Sequence, residues 1–243
     1  MDYNKNNSVI IAFEGLDCSF KETNYKRFLN HLIEMRGACE FDSYYSVHGE
    51  SFPRYGNCGC NFVESWLDGT FDRDMLKKNP DIVSTFYALD RFDYWYGLTD
   101  DGVRRIDLLN NKDKFRYFVF DRYNISNAIY NPSYPGVDIR DFNFDYKNFK
   151  IPRPDIVVWF RMHSFDKLCE LIAAKKQKDS NELDIEFIKK AWERSEEVIK
   201  SDVFDMLGIK LIVIDCLDDE CNPKPRHELA WDIWRNVITS IKY

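Results

Sequence analysis

The residues best suited to chemistry lie between an apolar run and an amphipathic one. The segment "FEGLDCSFKETN" at 13–24 places Gly15 and Lys21 at the spacing of the phosphate-binding template G-x-x-x-x-G-K-[ST]. In that template, backbone N–H groups and the lysine ammonium surround phosphate oxygens. The apolar run 8–13 predicts a strand, and the pattern at 22–36 predicts a helix with one apolar face. The sequence therefore predicts a strand, a phosphate-binding loop and a helix in succession.

The segment departs from the template at two positions. Phe20 stands where the second glycine belongs, and Glu22 stands where the hydroxyl belongs. A side chain at the glycine position can block the approach of the backbone to phosphate or disfavour the required torsion angles. A carboxylate about 4 Å from a phosphate charge would repel it by roughly 1 kcal/mol in water and about 4 kcal/mol at an effective dielectric constant of 20. Glu22 can point outward, and Thr23 beside it carries a hydroxyl, so we expect an altered loop that still binds phosphate through Lys21.

The rest of the chain alternates between strand-like and helix-like patterns. Nearly continuous apolar runs are typical of strands that are covered on both faces, and their alternation with helices predicts an α/β fold with a parallel sheet. Ligands of such sheets bind beyond the carboxyl ends of the strands. The further strands are predicted at 44–48, 116–121, 155–162 and 210–215, and the further helices at 80–98, 185–200 and 225–241.

Polar segments follow several of the predicted strands and would converge at one edge of the sheet. They are 52–56, 121–131 and 173–184, together with the loop after the first strand. Asp121 and Arg122 come directly after an apolar run, and a charged pair at a strand end is a candidate site. Taken alone, this pair is more readily explained as a helix cap with a surface ion pair. The convergence with the other segments favours a binding site.

Composition narrows the class of protein. The 243 residues suit one α/β domain, and the net charge of -7 argues against a large nucleic-acid surface. The polar N-terminus predicts no signal peptide, and no apolar run approaches the length of a membrane span. The seven cysteines and four histidines lack zinc-ligand spacing, which favours a reducing compartment. We therefore expect a cytoplasmic protein that binds small molecules rather than nucleic acid or membrane.

Five motifs in a fixed order resemble those of the thymidylate kinases, which are P-loop nucleoside monophosphate kinases. The motifs are "EGLD" with Lys21 at 14–21, "FPRYG" at 52–56, "FYALDR" at 86–91, "DRYNISNAIY" at 121–130 and "DSNE" at 179–182. The resemblance extends over about 9–215. It implies a single domain, 1–243, with the P-loop NTPase fold, a five-stranded parallel sheet with helices on both faces, and a short lid at about 173–184. It also implies phosphorylation of dTMP, or of a closely related pyrimidine deoxynucleotide, by ATP with Mg²⁺.

For the phosphoryl donor, the resemblance implies a role for each matching residue. Lys21 is expected to touch the β and γ phosphates of ATP, and Asp17 to lie beside the sugar 3′-hydroxyl or the magnesium ion. Asp17 and the lid residue Glu182 are the expected metal-site residues. The expected catalytic residues are Asp17, Lys21, Arg122, Lys175 and Lys176. The expected ATP-binding residues are Gly15, Leu16, Asp17, Cys18, Ser19, Phe20, Lys21, Glu22 and Thr23.

For the acceptor, the resemblance implies that Arg122, helped by Arg54, holds the α-phosphate, because a guanidinium group matches phosphate oxygens as a fork. Tyr87 would stack on thymine, and Arg91 would donate to a thymine carbonyl. The expected dTMP-binding residues are Phe52, Arg54, Tyr87, Arg91, Arg122, Ser126, Asn127 and Tyr130, with Asn127 at the base edge and Tyr130 beside the sugar 2′ position. The structural alternatives are packing for Tyr87 and Tyr130, a helix cap for Asn127, a surface ion pair with Asp90 or Asp93 for Arg91, and solvent exposure for Lys21.

Two features keep a second function open. The lid offers Lys175, Lys176 and Lys178 but no arginine before Arg194, and lysine is a poorer fork for the transferring phosphoryl group. Together with Phe20 and Glu22 in the loop, this favours a nucleotide-binding protein that has lost catalysis and acts as a sensor or regulatory partner. The resemblance also implies a homodimer. The aromatic helix 80–98 is a candidate for the dimer face and equally a candidate for the core. The segment 138–152, rich in Asp, Asn and aromatic residues, has no role that the sequence predicts.

Overall fold

The computed structural model describes residues 7–38, 45–130, 143–175 and 184–241. Its centre is a five-stranded sheet with the order β2-β3-β1-β4-β5, in which every neighbouring pair is parallel. The strands are β1 (Ser8–Gly15), β2 (Tyr45–Ser51), β3 (Phe115–Asp121), β4 (Ile156–Arg161) and β5 (Lys210–Asp215). The predicted α/β fold with a parallel sheet is confirmed, and all five strands lie within a few residues of their predicted positions.

Ten α-helices surround the sheet in the described part of the chain. They are α1 (Lys21–Ala38), α2 (Asn61–Leu67), α3 (Arg73–Lys78), α4 (Pro80–Tyr96), α5 (Arg105–Asn110), α6 (Ile125–Tyr130), α7 (Phe165–Ala173), α8 (Ile185–Lys200), α9 (Val203–Leu207) and α10 (Arg226–Ser240). The four long helices are the predicted ones. The short helix α6 after β3 and the helix α7 after β4 are also where the sequence indicates helices. It did not predict α2, α3, α5 and α9, because five to seven residues are too few to show a helical period.

Helices cover both faces of the sheet. On one face, the Phe13 ring of β1 packs against Tyr25 and Phe28 of α1, with ring centroids 6.0 and 5.4 Å apart. On the other face, Phe118 of β3 packs against Trp95 of α4 at 5.0 Å. The pairing of Phe118 with Ile10 places it on the face opposite to Phe13, because side chains alternate along a strand. The resulting core explains the apolar runs of β1, β3 and β4.

The strand register brings three carboxyl ends to the same level. Ser51 at the end of β2 pairs with Asp121 at the end of β3, and Asp121 pairs with Phe13 of β1. The backbone continues this arrangement past the strands, since the Phe52 N–H donates to the Asp121 carbonyl and the Arg122 N–H donates to the Phe13 carbonyl, both at 2.9 Å. The polar segments after the first three strands therefore meet at one edge.

Within the described ranges, no helix combines the length and apolar character needed to cross a membrane.

The imidazole of His48 makes stability depend on pH. Burial, with Arg116 nearby, lowers the pKa of His48 to about 4 from 6.5, and its ring stacks on Phe118 at 4.8 Å. The unfolded chain thus binds a proton that the folded chain excludes, so this residue's contribution to stability is full above pH 6.5 and is lost as the pH falls towards 4. We expect His48→Gln to make the free energy of unfolding, measured in urea, fall less steeply between these pH values.

The exposed His227 at the start of α10 offers the matched control. His227→Gln is expected to keep the wild-type slope over the same pH range. An unchanged slope in His48→Gln would contradict the assignment of the pH dependence to His48.

Candidate functional site

The loop between β1 and α1 is held by its own hydrogen bonds. Gly15 has φ of 143°, and a Cβ atom added to it would lie 2.8 Å from the Phe160 carbonyl oxygen, so only glycine fits. The Ser19 hydroxyl donates to the Leu16 carbonyl at 2.7 Å, and the Asn24 amide donates to the Phe20 carbonyl at 2.9 Å. The compact loop leads directly into the first turn of α1, where phosphate-binding sites of this kind lie.

Phe20 has a left-handed backbone torsion, which glycine would adopt without strain. Its φ is 63°, in the left-handed region, which costs a residue with a side chain roughly 1–2 kcal/mol. The ring is partly buried and packs against the main hydrophobic core. Packing of the ring therefore offsets the strain of the left-handed torsion.

Glu22 and Thr23 are both exposed on α1. The Glu22 carboxylate lies 2.5 Å from Nζ of Lys26, one helical turn further along. Glu22 therefore has a partner on the helix surface.

Lys21 is buried, with 6% of its surface exposed. Its Nζ lies 2.5 Å from Oδ1 of Asp121, and the Ser51 hydroxyl donates to the other oxygen of that carboxylate at 3.0 Å. Burial and the charge of Arg122 lower the pKa of Lys21, while Asp121 opposes them. The alternative that Lys21 is a solvent-exposed lysine is thus wrong. The alternative that Asp121 and Arg122 form an ion pair on the surface is wrong as well, because Asp121 is buried and pairs with Lys21.

Arg122, Asp17 and Tyr130 form one cluster. Arg122 has φ of 61°, and its Nη2 donates to the Asp17 carboxylate. The Tyr130 hydroxyl accepts from the Asp17 N–H at 2.9 Å and donates to Asp17 Oδ2 at 3.2 Å, and its ring centroid lies 5.3 Å from the Arg122 guanidinium carbon. Three residues from two of the motifs therefore lie together at the carboxyl ends of the strands.

Glu14 is a site residue that the sequence reasoning missed. Its carboxylate is fully buried, and it accepts from the Tyr123 N–H at 2.8 Å and from the Ser126 hydroxyl at 2.6 Å. Burial raises the pKa of Glu14, and the hydrogen bonds and the charge of Arg122 oppose the rise. The signal in the sequence is an acidic residue within the apolar run of β1. Glu14 fixes the segment that follows Arg122.

Arg54 is held by two carboxylates of α4. Its N–H and Nε donate to the Asp90 carboxylate at 2.8 and 2.9 Å, and its Nη2 lies 2.5 Å from Asp93 Oδ2. Only 8% of Arg54 is exposed, and its guanidinium lies over the Phe52 and Tyr94 rings. The alternative of a surface ion pair between Arg91 and Asp90 or Asp93 is therefore wrong, because both carboxylates pair with Arg54.

Arg91 lies in the interior with 1% of its surface exposed. Its Nε is 2.5 Å from Oδ2 of Asp145, which is buried as well, and its Nη1 donates to the Tyr123 carbonyl at 3.3 Å. Burial alone lowers the pKa of Arg91, but Asp145 holds it above its ordinary value. The third nitrogen, Nη2, is buried and has no hydrogen-bond partner among the described residues.

Tyr87 and Asn127 complete the predicted acceptor residues. Tyr87 is partly buried against a small apolar cluster, and burial raises its pKa while the charges of Arg122 and Arg91 oppose the rise. Tyr87 thus both packs and lies within electrostatic reach of the two arginines. Asn127 lies inside α6, whose first residue is Ile125, so a helix cap is the wrong explanation for it.

The lid is described only at its ends. Lys175 is exposed just beyond α7, whereas Lys176, Lys178 and Glu182 lie outside the described residues. Arg194 lies on α8 with 9% of its surface exposed. No group of three or more potential metal ligands occurs in the ranges that the structure describes. Asp17, one of the two expected metal-site residues, pairs with Arg122.

No family model and no curated protein matches this sequence. Among solved structures, the thymidylate kinase from Candida albicans matches with a TM-score of 0.59 over 96% of this chain and 92% of that chain, at 14% identity. The thymidylate kinase from Ehrlichia chaffeensis matches with a TM-score of 0.58 over 95% and 99%, at 17% identity. The fold is that of the thymidylate kinases. At this identity the similarity establishes the P-loop kinase fold and leaves activity and substrate to experiment.

The strain and packing of Phe20 can be separated by two substitutions. Phe20→Ala removes the ring and keeps a side chain at positive φ, whereas Phe20→Gly removes both. We expect Phe20→Gly to be the more stable of the two by about 1 kcal/mol, because the left-handed backbone costs glycine nothing. The measurement is the free energy of unfolding in urea.

Phe28, buried in the interior of α1, is the control. There the order must reverse, with Phe28→Ala more stable than Phe28→Gly by roughly 1 kcal/mol, because glycine disfavours helix. Equal stabilities of the two Phe20 variants would mean that the residue bears no backbone strain.

Proposed function

We propose that this chain is a nucleoside monophosphate kinase that transfers the γ-phosphoryl group of ATP to dTMP or a closely related pyrimidine deoxynucleotide. The observation that carries the proposal is the adjacency of Lys21 and Arg122, two largely buried cations beyond the ends of neighbouring strands, with Asp121 next to both. Phosphoryl transfer needs cations at the donor and acceptor phosphates, and it depends on positioning and charge neutralisation.

On the donor side, Lys21 would meet the β and γ phosphates at the start of α1. The loop 15–20 would supply backbone N–H groups, as its turn at Gly15 and the left-handed torsion of Phe20 allow. The lid residues Lys175 and Lys176 would add charge near the transferring group. Lysines in place of arginines predict slower transfer, because they neutralise phosphate as point charges.

On the acceptor side, Arg122 would bind the α-phosphate of dTMP, helped by Arg54. Tyr87 would stack on the base, Arg91 would donate to a base carbonyl, and Tyr130 would crowd the sugar 2′ position. Phe52 and Ser126 contribute as supports, since Phe52 packs against Tyr123 and Ser126 bonds Glu14.

The residues present suit a magnesium ion that is held chiefly by the nucleotide. Mg²⁺ keeps several waters and binds one or two carboxylates together with substrate phosphates. Asp17 and Asp121 are carboxylates at the loop and the strand edge, and Glu182 would join them from the lid. When bound, the ion would neutralise charge on the phosphates of ATP.

We also propose that residues 1–243 form a single domain that acts in the cytoplasm and dimerises through α4. Ile82 and Phe92 of α4 are exposed by 37% and 39%, which leaves apolar surface on that helix for a second copy.

A second candidate is a nucleotide-binding protein without catalysis. Its supporting observation is that Lys21 and Arg54 already have buried carboxylate partners. A ligand phosphate would have to compete with those carboxylates for each cation.

A coupled assay of ADP release with ATP, Mg²⁺ and dTMP separates the two candidates. Lys21→Ala is expected to abolish transfer, since it removes the cation at the donor phosphates. The equilibrium affinity for dTMP should stay nearly unchanged, because other residues hold the acceptor. Lys26→Ala is the matched control: this lysine is exposed on the same helix and should keep wild-type turnover. Wild-type turnover no higher than that of Lys21→Ala would replace the kinase with the binding protein.

A further inference from the structure

The segment 143–153 has no predicted role, yet it packs directly on the residues of the acceptor site. Its π-helical turn, Asp145–Phe149, lies against α4. Three tyrosine hydroxyls connect it to its surroundings by hydrogen bonds. From within the segment, Tyr146 donates to Asn124 Oδ1 at 2.9 Å. From outside it, Tyr96 donates to the Lys150 carbonyl at 2.7 Å and Tyr123 to the Pro152 carbonyl at 2.9 Å. These bonds fix the segment relative to α4 and to the chain after β3.

Asp145 is the charged residue that this segment inserts into the interior. Its side chain is 2% exposed, and its carboxylate accepts a hydrogen bond from Nε of Arg91. The Tyr123 carbonyl accepts from Nη1, and the centroid of the Tyr123 ring lies 5.9 Å from the guanidinium carbon. Because a guanidinium is planar, two fixed nitrogens determine where the third one points.

That third nitrogen, Nη2, has no hydrogen-bond partner in the described part of the chain although it is buried. A buried N–H group without an acceptor is costly, and more so on a charged group. The guanidinium is a donor only, so the group that satisfies Nη2 must offer an acceptor oxygen or nitrogen.

We propose that Asp145 is a positioning residue for base recognition, which orients Arg91 so that Nη2 meets a carbonyl oxygen of the bound pyrimidine. The inference rests on the proposed function, because it takes the ligand to be a pyrimidine deoxynucleotide. Thymine and uracil carry a carbonyl oxygen where cytosine carries an amino group. An amino group facing Nη2 would set donor against donor, so the pair of Arg91 and Asp145 selects carbonyl bases.

The test compares the equilibrium affinities for dTMP and dCMP by titration calorimetry. Asp145→Asn keeps the shape of the side chain and removes its charge. We expect it to weaken dTMP binding about tenfold, in line with losing one hydrogen bond to a charged group, and to leave dCMP binding unchanged. Asp113→Asn is the control, since Asp113 pairs with the buried Arg116 near the start of β3 and should leave both affinities as they are.

A second variant covers the case in which Asp145→Asn does not fold. Arg91→Met with Asp145→Leu removes both charges, and replacing both members of a buried ion pair with apolar residues is often tolerated. This double variant should bind dTMP and dCMP with equal affinity. A preference for dTMP as large as that of the wild type would overturn the role of the pair.

The outcomes separate this inference from the proposed function. Wild-type protein that binds neither nucleotide would defeat both. Wild-type protein that prefers dTMP, with the same preference in Asp145→Asn, would defeat the positioning role alone. A lower melting temperature of Asp145→Asn with an unchanged ratio of affinities would mean that Asp145 serves stability only, and would equally overturn the inference.

Discussion

The ion pair between Lys21 and Asp121 is the interaction on which the arrangement of the site depends. It joins the first turn of α1 to the end of β3, and the Ser51 hydroxyl adds the end of β2 through the same carboxylate. The pair forms only because the parallel register places Ser51, Asp121 and Phe13 side by side. A slip of one residue would turn Asp121 to the other face of the sheet and leave Lys21 buried without a partner. The strand register thus also determines where the charged side chains of the site lie.

Buried ion pairs of this kind are weak evidence for stability, because removing two charges from water costs about as much as their attraction returns. Apolar residues of similar volume would serve the core equally well. The presence of buried cations beyond the ends of the strands is therefore better explained by a ligand that those cations bind. The same argument applies to Phe20. Its backbone torsion is strained, and such strain is found mainly where a loop has a function.

The sequence predicts the local parts of this structure well. Continuous apolar runs located β1, β3 and β4, because strands that are buried on both faces leave such a signal. The outer strands β2 and β5 are only partly buried, although the sequence located them as well. The partners of the arginines escaped prediction for a physical reason. Arg91 pairs with Asp145, which is 54 residues away, and Arg54 pairs with Asp90, which is 36 residues away. A charged residue on a helix has nearer candidates of opposite sign, and only the packed chain decides among them. Glu14 was overlooked because a single carboxylate in a strand carries no periodic signal.

Each basic residue of the proposed acceptor site and the loop lysine is already paired with a carboxylate, so a phosphate that binds here would exchange one anion for another. The five carboxylates differ in how easily they can be displaced. The side chains of Asp17 and Asp93 are 38% and 39% exposed, whereas those of Asp121, Asp145 and Asp90 are exposed by 9%, 2% and 1%. A carboxylate near water recovers its hydration when it is displaced, and a buried one does not. Arg54 keeps its buried partner Asp90 even when Asp93 is displaced, so Arg122 is the cation most readily available to an incoming phosphate. Arg54 and Arg91 stay with their carboxylates, so that they offer a ligand only the donors that those carboxylates leave unused.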